Sequence, residues 1–88
     1  MHILFKKLFF RKLTNEEKGI QIIRKMGYKK VSPTSFERES GNSVSIITIR
    51  GKSIVIKSYF NGISETEYLD DAFQNKENLI EFIRYNQV

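Results

Sequence analysis

The chain contains no cysteine, which removes disulfide staples, thiolate nucleophiles and cysteine-based zinc sites together. Histidine is nearly absent as well. The single one, His2, lies beside the opening methionine, and chain ends hold catalytic geometry poorly. Hydrolysis by a Ser-His or Cys-His arrangement is therefore not expected, and the chain reads as a protein that is not an enzyme. No G-x-G-x-x-G, Walker loop, H-E-x-x-H, C-x-x-C or EF-hand loop occurs, so the short motifs that serve phosphate, redox and metal chemistry are missing. No cofactor and no metal site is expected. There is no apolar run long enough to cross a bilayer, and no small-residue cleavage site follows the N-terminal segment. A cytoplasmic location is the corresponding expectation.

What remains is 88 residues, 40% hydrophobic and 28% charged, the composition of one globular domain. A chain of this size buries only about 60 to 65% of its unfolded surface, so its stability is easily shared with a partner. The net charge of +5 is unevenly placed. Residues 1 to 36 carry nine lysines and arginines against Glu16 and Glu17, whereas residues 37 to 88 carry six basic and eight acidic groups. Such a dipolar chain can present a positive face to phosphates or to an anionic protein. Lys6, Lys7, Arg11, Lys12, Arg24, Lys25, Lys29 and Lys30 are the candidates for binding nucleic acid or another anionic surface. The plainer alternative is that Arg24, Lys25, Lys29 and Lys30 crowd the negative end of a helix, where cations are favoured.

Residues 1 to 13, MHILFKKLFFRKL, form a basic amphipathic segment without a single acid. As a helix it places Phe5, Leu8, Phe9 and Leu13 on one side and Lys6, Lys7 and Arg11 on the other, with Lys12 and Phe10 out of place. Three roles fit: peripheral contact with an anionic membrane, docking in a partner's groove, or packing on its own domain.

Residues 14 to 88 are expected to form a single α+β domain. Thr14-Asn15-Glu16-Glu17 fits a capping box, so a helix should begin there. Gly19, Ile20, Ile22, Ile23 and Met26 make one apolar stripe, and Gly27 is placed as the left-handed terminator. Tyr28 turns the chain toward the sheet, and Ser32-Pro33-Thr34 reads as a turn or loop. From Ser35 to Phe60 β-branched residues dominate, with Gly41-Asn42 and Gly51-Lys52 placed as two-residue hairpin loops. These predict three antiparallel strands, at 35 to 40, 43 to 50 and 53 to 60. Two-residue turns fix the register: Phe36 opposite Ile47, Ile47 opposite Ile56, Ile49 opposite Ile54, all on one face. Asn61-Gly62 reads as an exit turn, and Asn75 as the cap of a last helix, 76 to 86, with a Leu79, Ile80, Phe82 and Ile83 stripe. The predicted architecture is α-β-β-β-α: a three-stranded antiparallel sheet flanked by two helices, with the N-terminal segment appended.

The second sheet face carries Val44, Ile46, Val55 and Tyr59 among Glu37, Glu39, Thr48, Arg50 and Lys57, with Glu37 and Lys57 flanking Ile46. Four sizeable apolar side chains on a face expected to be polar call for a cover. The N-terminal segment, a homodimer mate or a target protein would each supply one; an ordinary half-exposed β surface needs none. Glu65, Glu67, Asp70 and Asp71 read as a solvated acidic loop near the start of the last helix, and alternatively as a patch that attracts a basic cleft. Val44, Ile46, Val55, Tyr59, Glu65, Glu67, Asp70 and Asp71 are therefore the candidate partner-binding residues. The acids lack the glycine and ligand periodicity of a calcium loop. Nucleic-acid readout by the sheet needs adjacent exposed aromatics, and Tyr59 alone is placed on its outer face.

Lys18-Gly19 opening a helix and Lys25-Met26-Gly27-Tyr28 closing it, in the order α-β-β-β-α, resemble the HicA-type mRNA-interferase toxins, whose fold is like that of double-stranded-RNA-binding domains. Those toxins carry a catalytic histidine on the strand after the first helix. No histidine stands at or near Phe36, so the resemblance implies the scaffold without the ribonuclease. A broader pattern spans residues 18 to 85: a helix, Gly27-Tyr28-Lys29-Lys30, the strand Ser35-Phe36-Glu37-Arg38, an Ile-rich strand, Lys57-Ser58-Tyr59 and a closing helix. It is similar to small uncharacterised proteins of phages and mobile elements of Gram-positive bacteria. That resemblance implies an inhibitor that binds a host protein or defence complex; the alternative is a nucleic-acid-binding protein using the basic half.

Overall fold

A computed structural model describes residues 12 to 87. Helix α1 (Asn15–Lys25) is followed by five strands, β1 (Lys29–Ser32), β2 (Ser35–Ser40), β3 (Ser43–Arg50), β4 (Ser53–Phe60) and β5 (Ile63–Leu69), and then by helix α2 (Lys76–Asn86). The strands pair in sequence order, each antiparallel to the next. The predicted three-stranded sheet is thus corrected to five strands, α-β-β-β-β-β-α, within the same α+β class. The three predicted strands are present with the predicted bounds, and one more lies at each edge. Asn61-Gly62 is a hairpin turn and not an exit: φ is 50° at Asn61 and 78° at Gly62, the pair of positive angles that a type I′ turn requires. The stretch containing Glu65 and Glu67, expected as a loop, is the strand that this turn returns.

α1 begins as its sequence dictates. The Thr14 side chain accepts from the Glu17 backbone N–H at 3.1 Å, and the Glu17 carboxylate accepts from the Thr14 N–H at 2.9 Å. The helix stops at Gly27, where φ is 100°. α2 is capped by Asn75, whose side chain accepts from the Asn78 N–H at 3.0 Å. Both helices lie on one face of the sheet. The core joins Ile23 of α1 and Leu79 and Ile83 of α2 to Phe36, Ile47, Ile49, Ile54 and Ile56, with Ile20, Ile22, Met26, Leu69, Phe73 and Phe82 packed around them. The predicted registers hold: Phe36 pairs with Ile47, Ile47 with Ile56, and Ile49 with Ile54.

Gly19 is the contact point between α1 and the loop before α2. A Cβ there would overlap the Phe73 ring, so the missing side chain is what admits it. The same loop is tied to the β3–β4 turn, where the Ala72 N–H donates to the Lys52 carbonyl at 2.9 Å.

Candidate interaction surface

Period-two alternation sends every second side chain of the meander away from the helices, and the pairing registers order those side chains into rows. One row reads Lys29, Glu37, Ile46, Lys57, Thr66; a second reads Glu39, Val44, Tyr59, Ser64; a third carries Ser35, Thr48, Val55 and Tyr68. Ser35 and Thr48 touch through their hydroxyls at 3.3 Å. Val44, Ile46, Val55 and Tyr59 are therefore brought together on one face, as their alternation predicts. The face is amphipathic. Val55 is buried among its neighbours, Val44 and Ile46 are half-buried, Tyr59 is 38% exposed and Tyr68 64%. Charges of both signs alternate around them, with Lys29, Arg50 and Lys57 against Glu37 and Glu39.

The acidic candidates are not part of that face. Glu65 pairs with Ser58 and Glu67 with Ile56, so both point to the helix-bearing side, at the margin beyond the core. Asp70 follows β5 and accepts from the Ser53 hydroxyl at 2.9 Å. Asp71, at φ 49°, lines a cavity of about 310 Å³ with Asn15, Glu16, Lys52 and Phe73. The expected acidic patch is thus split between a strand and a turn. Among the described residues no group of three or more His, Asp or Glu side chains could hold a metal ion.

The basic candidates are divided too. Arg24 and Lys25 are exposed in the last turn of α1, where the helix dipole favours them. Lys29 and Lys30 are consecutive on β1 and so face opposite sides. Lys12 is exposed, while Lys6, Lys7 and Arg11 lie outside the described residues, as do the roles expected of residues 1 to 11. No described helix is long and apolar enough to cross a membrane.

On the helix-bearing side, polar groups anchor the end of α2. Tyr28, 2% exposed, donates its phenol to the Gln87 side-chain oxygen at 3.1 Å, and the Ser58 hydroxyl donates to the Asn86 carbonyl at 2.7 Å. Burial pushes the Tyr28 phenol above its ordinary value, partly offset by a hydrogen bond with Ser45 and by the nearby Arg38 charge. The phenol thus ties the start of the sheet to the end of α2.

Tyr68 and Thr66 join the outer face because the stretch expected as a loop forms β5. Asn61-Gly62 before Ile-Ser-Glu-Thr-Glu-Tyr is the signal that points to them. Comparisons with protein-family models, curated proteins and solved structures find no match to the chain.

Proposed function

We propose that this chain is a small non-enzymatic interaction protein that binds a partner protein through the outer face of its sheet. The observation that carries the reading is that face: five strands wide, uncovered by any described helix, and studded with Val44, Ile46, Tyr59 and Tyr68. Open antiparallel sheets are ordinarily polar on the solvent side. Aromatic and aliphatic groups interleaved with Glu37 and Lys57 give the surface both apolar contact and charge complementarity to offer a partner. The resemblance to small phage and mobile-element proteins adds a class of partner, a host protein or defence complex that binding would block.

The alternative, nucleic-acid binding by the basic half, draws less support from the placement of its residues, since Lys29 and Lys30 face opposite sides. The test is affinity capture of the tagged chain from a nuclease-treated Gram-positive lysate, alongside Val44→Glu, Ile46→Glu and Tyr59→Glu variants shown to be folded by circular dichroism. A stoichiometric protein held by the native chain and lost from the variants is expected. Capture unchanged across all three overturns the surface. In a parallel capture without nuclease, recovery of nucleic acid alone, lost when nuclease is added or falling steeply with salt, favours the alternative.

A further inference from the structure

The two edges of the sheet are built differently. β1 is four residues long, carries Lys29 and Lys30, and shifts register between Lys30 and Ser32. Short length, lysine and a bulge are the usual means of blunting an edge against pairing. β5 is seven residues long, holds an unbroken register with β4, and is exposed from Ile63 to Tyr68. The two-residue turn at Asn61-Gly62 makes Phe60 and Ile63 a hydrogen-bonded pair, and the antiparallel ladder alternates from there. Glu65 and Glu67 therefore bond to β4, whereas Ser64, Thr66 and Tyr68 direct their N–H and C=O groups to the open edge.

On the helix side, a groove of about 740 Å³ is lined by Leu69 at the end of β5 and by Glu81, Phe82, Arg84 and Tyr85 of α2. Glu65 and Glu67 project toward the same side. Among the described residues nothing pairs with this edge. A second copy is a poor occupant, because antiparallel β5-to-β5 pairing centred on Thr66 sets Glu65 against Glu67, and like charges directly opposite destabilise.

We propose that β5 accepts an extended basic segment of a partner protein as a sixth strand. Backbone hydrogen bonds form to Ser64, Thr66 and Tyr68, and alternate lysine or arginine side chains lie beside Glu65 and Glu67 with their stems on Leu69, Phe82 and Tyr85. The two acids act twice: they repel self-association and select the charge of the added strand. The edge uses the backbone of Ser64, Thr66 and Tyr68, whose side chains belong to the outer face, and its ladder is tested separately from that face.

The test is amide NMR of the full chain titrated with an acetylated, amidated heptapeptide of alternating lysine and threonine. Saturable shifts centred on Ser64, Thr66 and Tyr68, with slowed exchange of those amides, are expected. Thr66→Pro removes an edge-facing N–H without taking one from the β4 ladder, a placement that edge strands tolerate. It should weaken binding by at least about tenfold while the Ile47 and Ile56 amides keep their positions. Glu65→Lys with Glu67→Lys should reverse the preference, toward the peptide with glutamate in place of lysine, again by about tenfold or more. The proposal is overturned if the heptapeptide causes no saturable shift at β5. It is equally overturned if a folded Thr66→Pro chain binds unchanged, if the charge exchange leaves the preference unaltered, or if the β5 amides are protected by self-association before peptide is added.

Discussion

Tyr28 is the residue whose chemistry is most sharply set by its surroundings. Its phenol must stay protonated to donate to Gln87, and burial raises its pKa. A raised value means that the unfolded chain ionises first, near pH 10. The stability that depends on the neutral phenol is therefore complete below about pH 10 and declines as pH rises through the folded value. Replacing Tyr28 by Phe should cost about 1 kcal/mol at neutral pH, the worth of one hydrogen bond, and the difference from the native chain should shrink above about pH 10. Urea unfolding of both proteins at a series of pH values checks it; a difference that grows above that pH contradicts the assignment. The position of Tyr28 after Gly27 was legible from sequence, but its role was not, because Gln87 is remote in the chain.

At the scale of elements, those whose signals are local were readable. The Thr14 to Glu17 capping box, Gly27, Asn75 and the two glycine-first turns each act within a few residues, and each lies where the sequence places it. β1 and the body of β5 carry no such signal, although Asn61-Gly62 marks the turn into β5. Lys-Lys-Val-Ser and Ile-Ser-Glu-Thr-Glu-Tyr-Leu are edge strands, whose exposure removes the apolar alternation by which a strand is recognised. Their pairing is dictated by the strands beside them. The docking of α1 on the loop before α2 rests on a similarly remote contact, between Gly19 and Phe73. Alanine in place of an interior helical glycine ordinarily adds about 0.5 to 1 kcal/mol. Here Gly19→Ala should instead destabilise, by about 1 kcal/mol, because the added methyl meets the Phe73 ring. In a Phe73→Ala background the same substitution should recover its ordinary stabilising sign. Denaturant midpoints of the four proteins of this cycle decide the matter; a stabilising Gly19→Ala in the native background contradicts it.

Across the whole molecule, the five-stranded meander sorts the side chains onto two faces. One is closed by α1 and α2 over Phe36, Ile47, Ile54 and Ile56. The other retains Val44, Ile46, Tyr59 and Tyr68. The outer aliphatic residues were visible in the sequence because the glycine-first turns fix the register of β3 and β4, which assigns a face to each residue even where apolar residues adjoin, as at Ile54-Val55-Ile56. The same logic separates the acids from them: with Asn61-Gly62 as a two-residue turn, the β4–β5 register sets Glu65 opposite Ser58 and Glu67 opposite Ile56, on the other side. The tyrosines offer a direct test of the proposed binding surface, because Tyr59 and Tyr68 mark the outer face and Tyr85, 88% exposed, marks α2 on the other side. Hydroxyl-radical footprinting of the chain, free and in its captured complex, reads all three at once. The outer-face account predicts labelling lost at Tyr59 and Tyr68 and retained at Tyr85; protection of Tyr85 with Tyr59 and Tyr68 still labelled would contradict it.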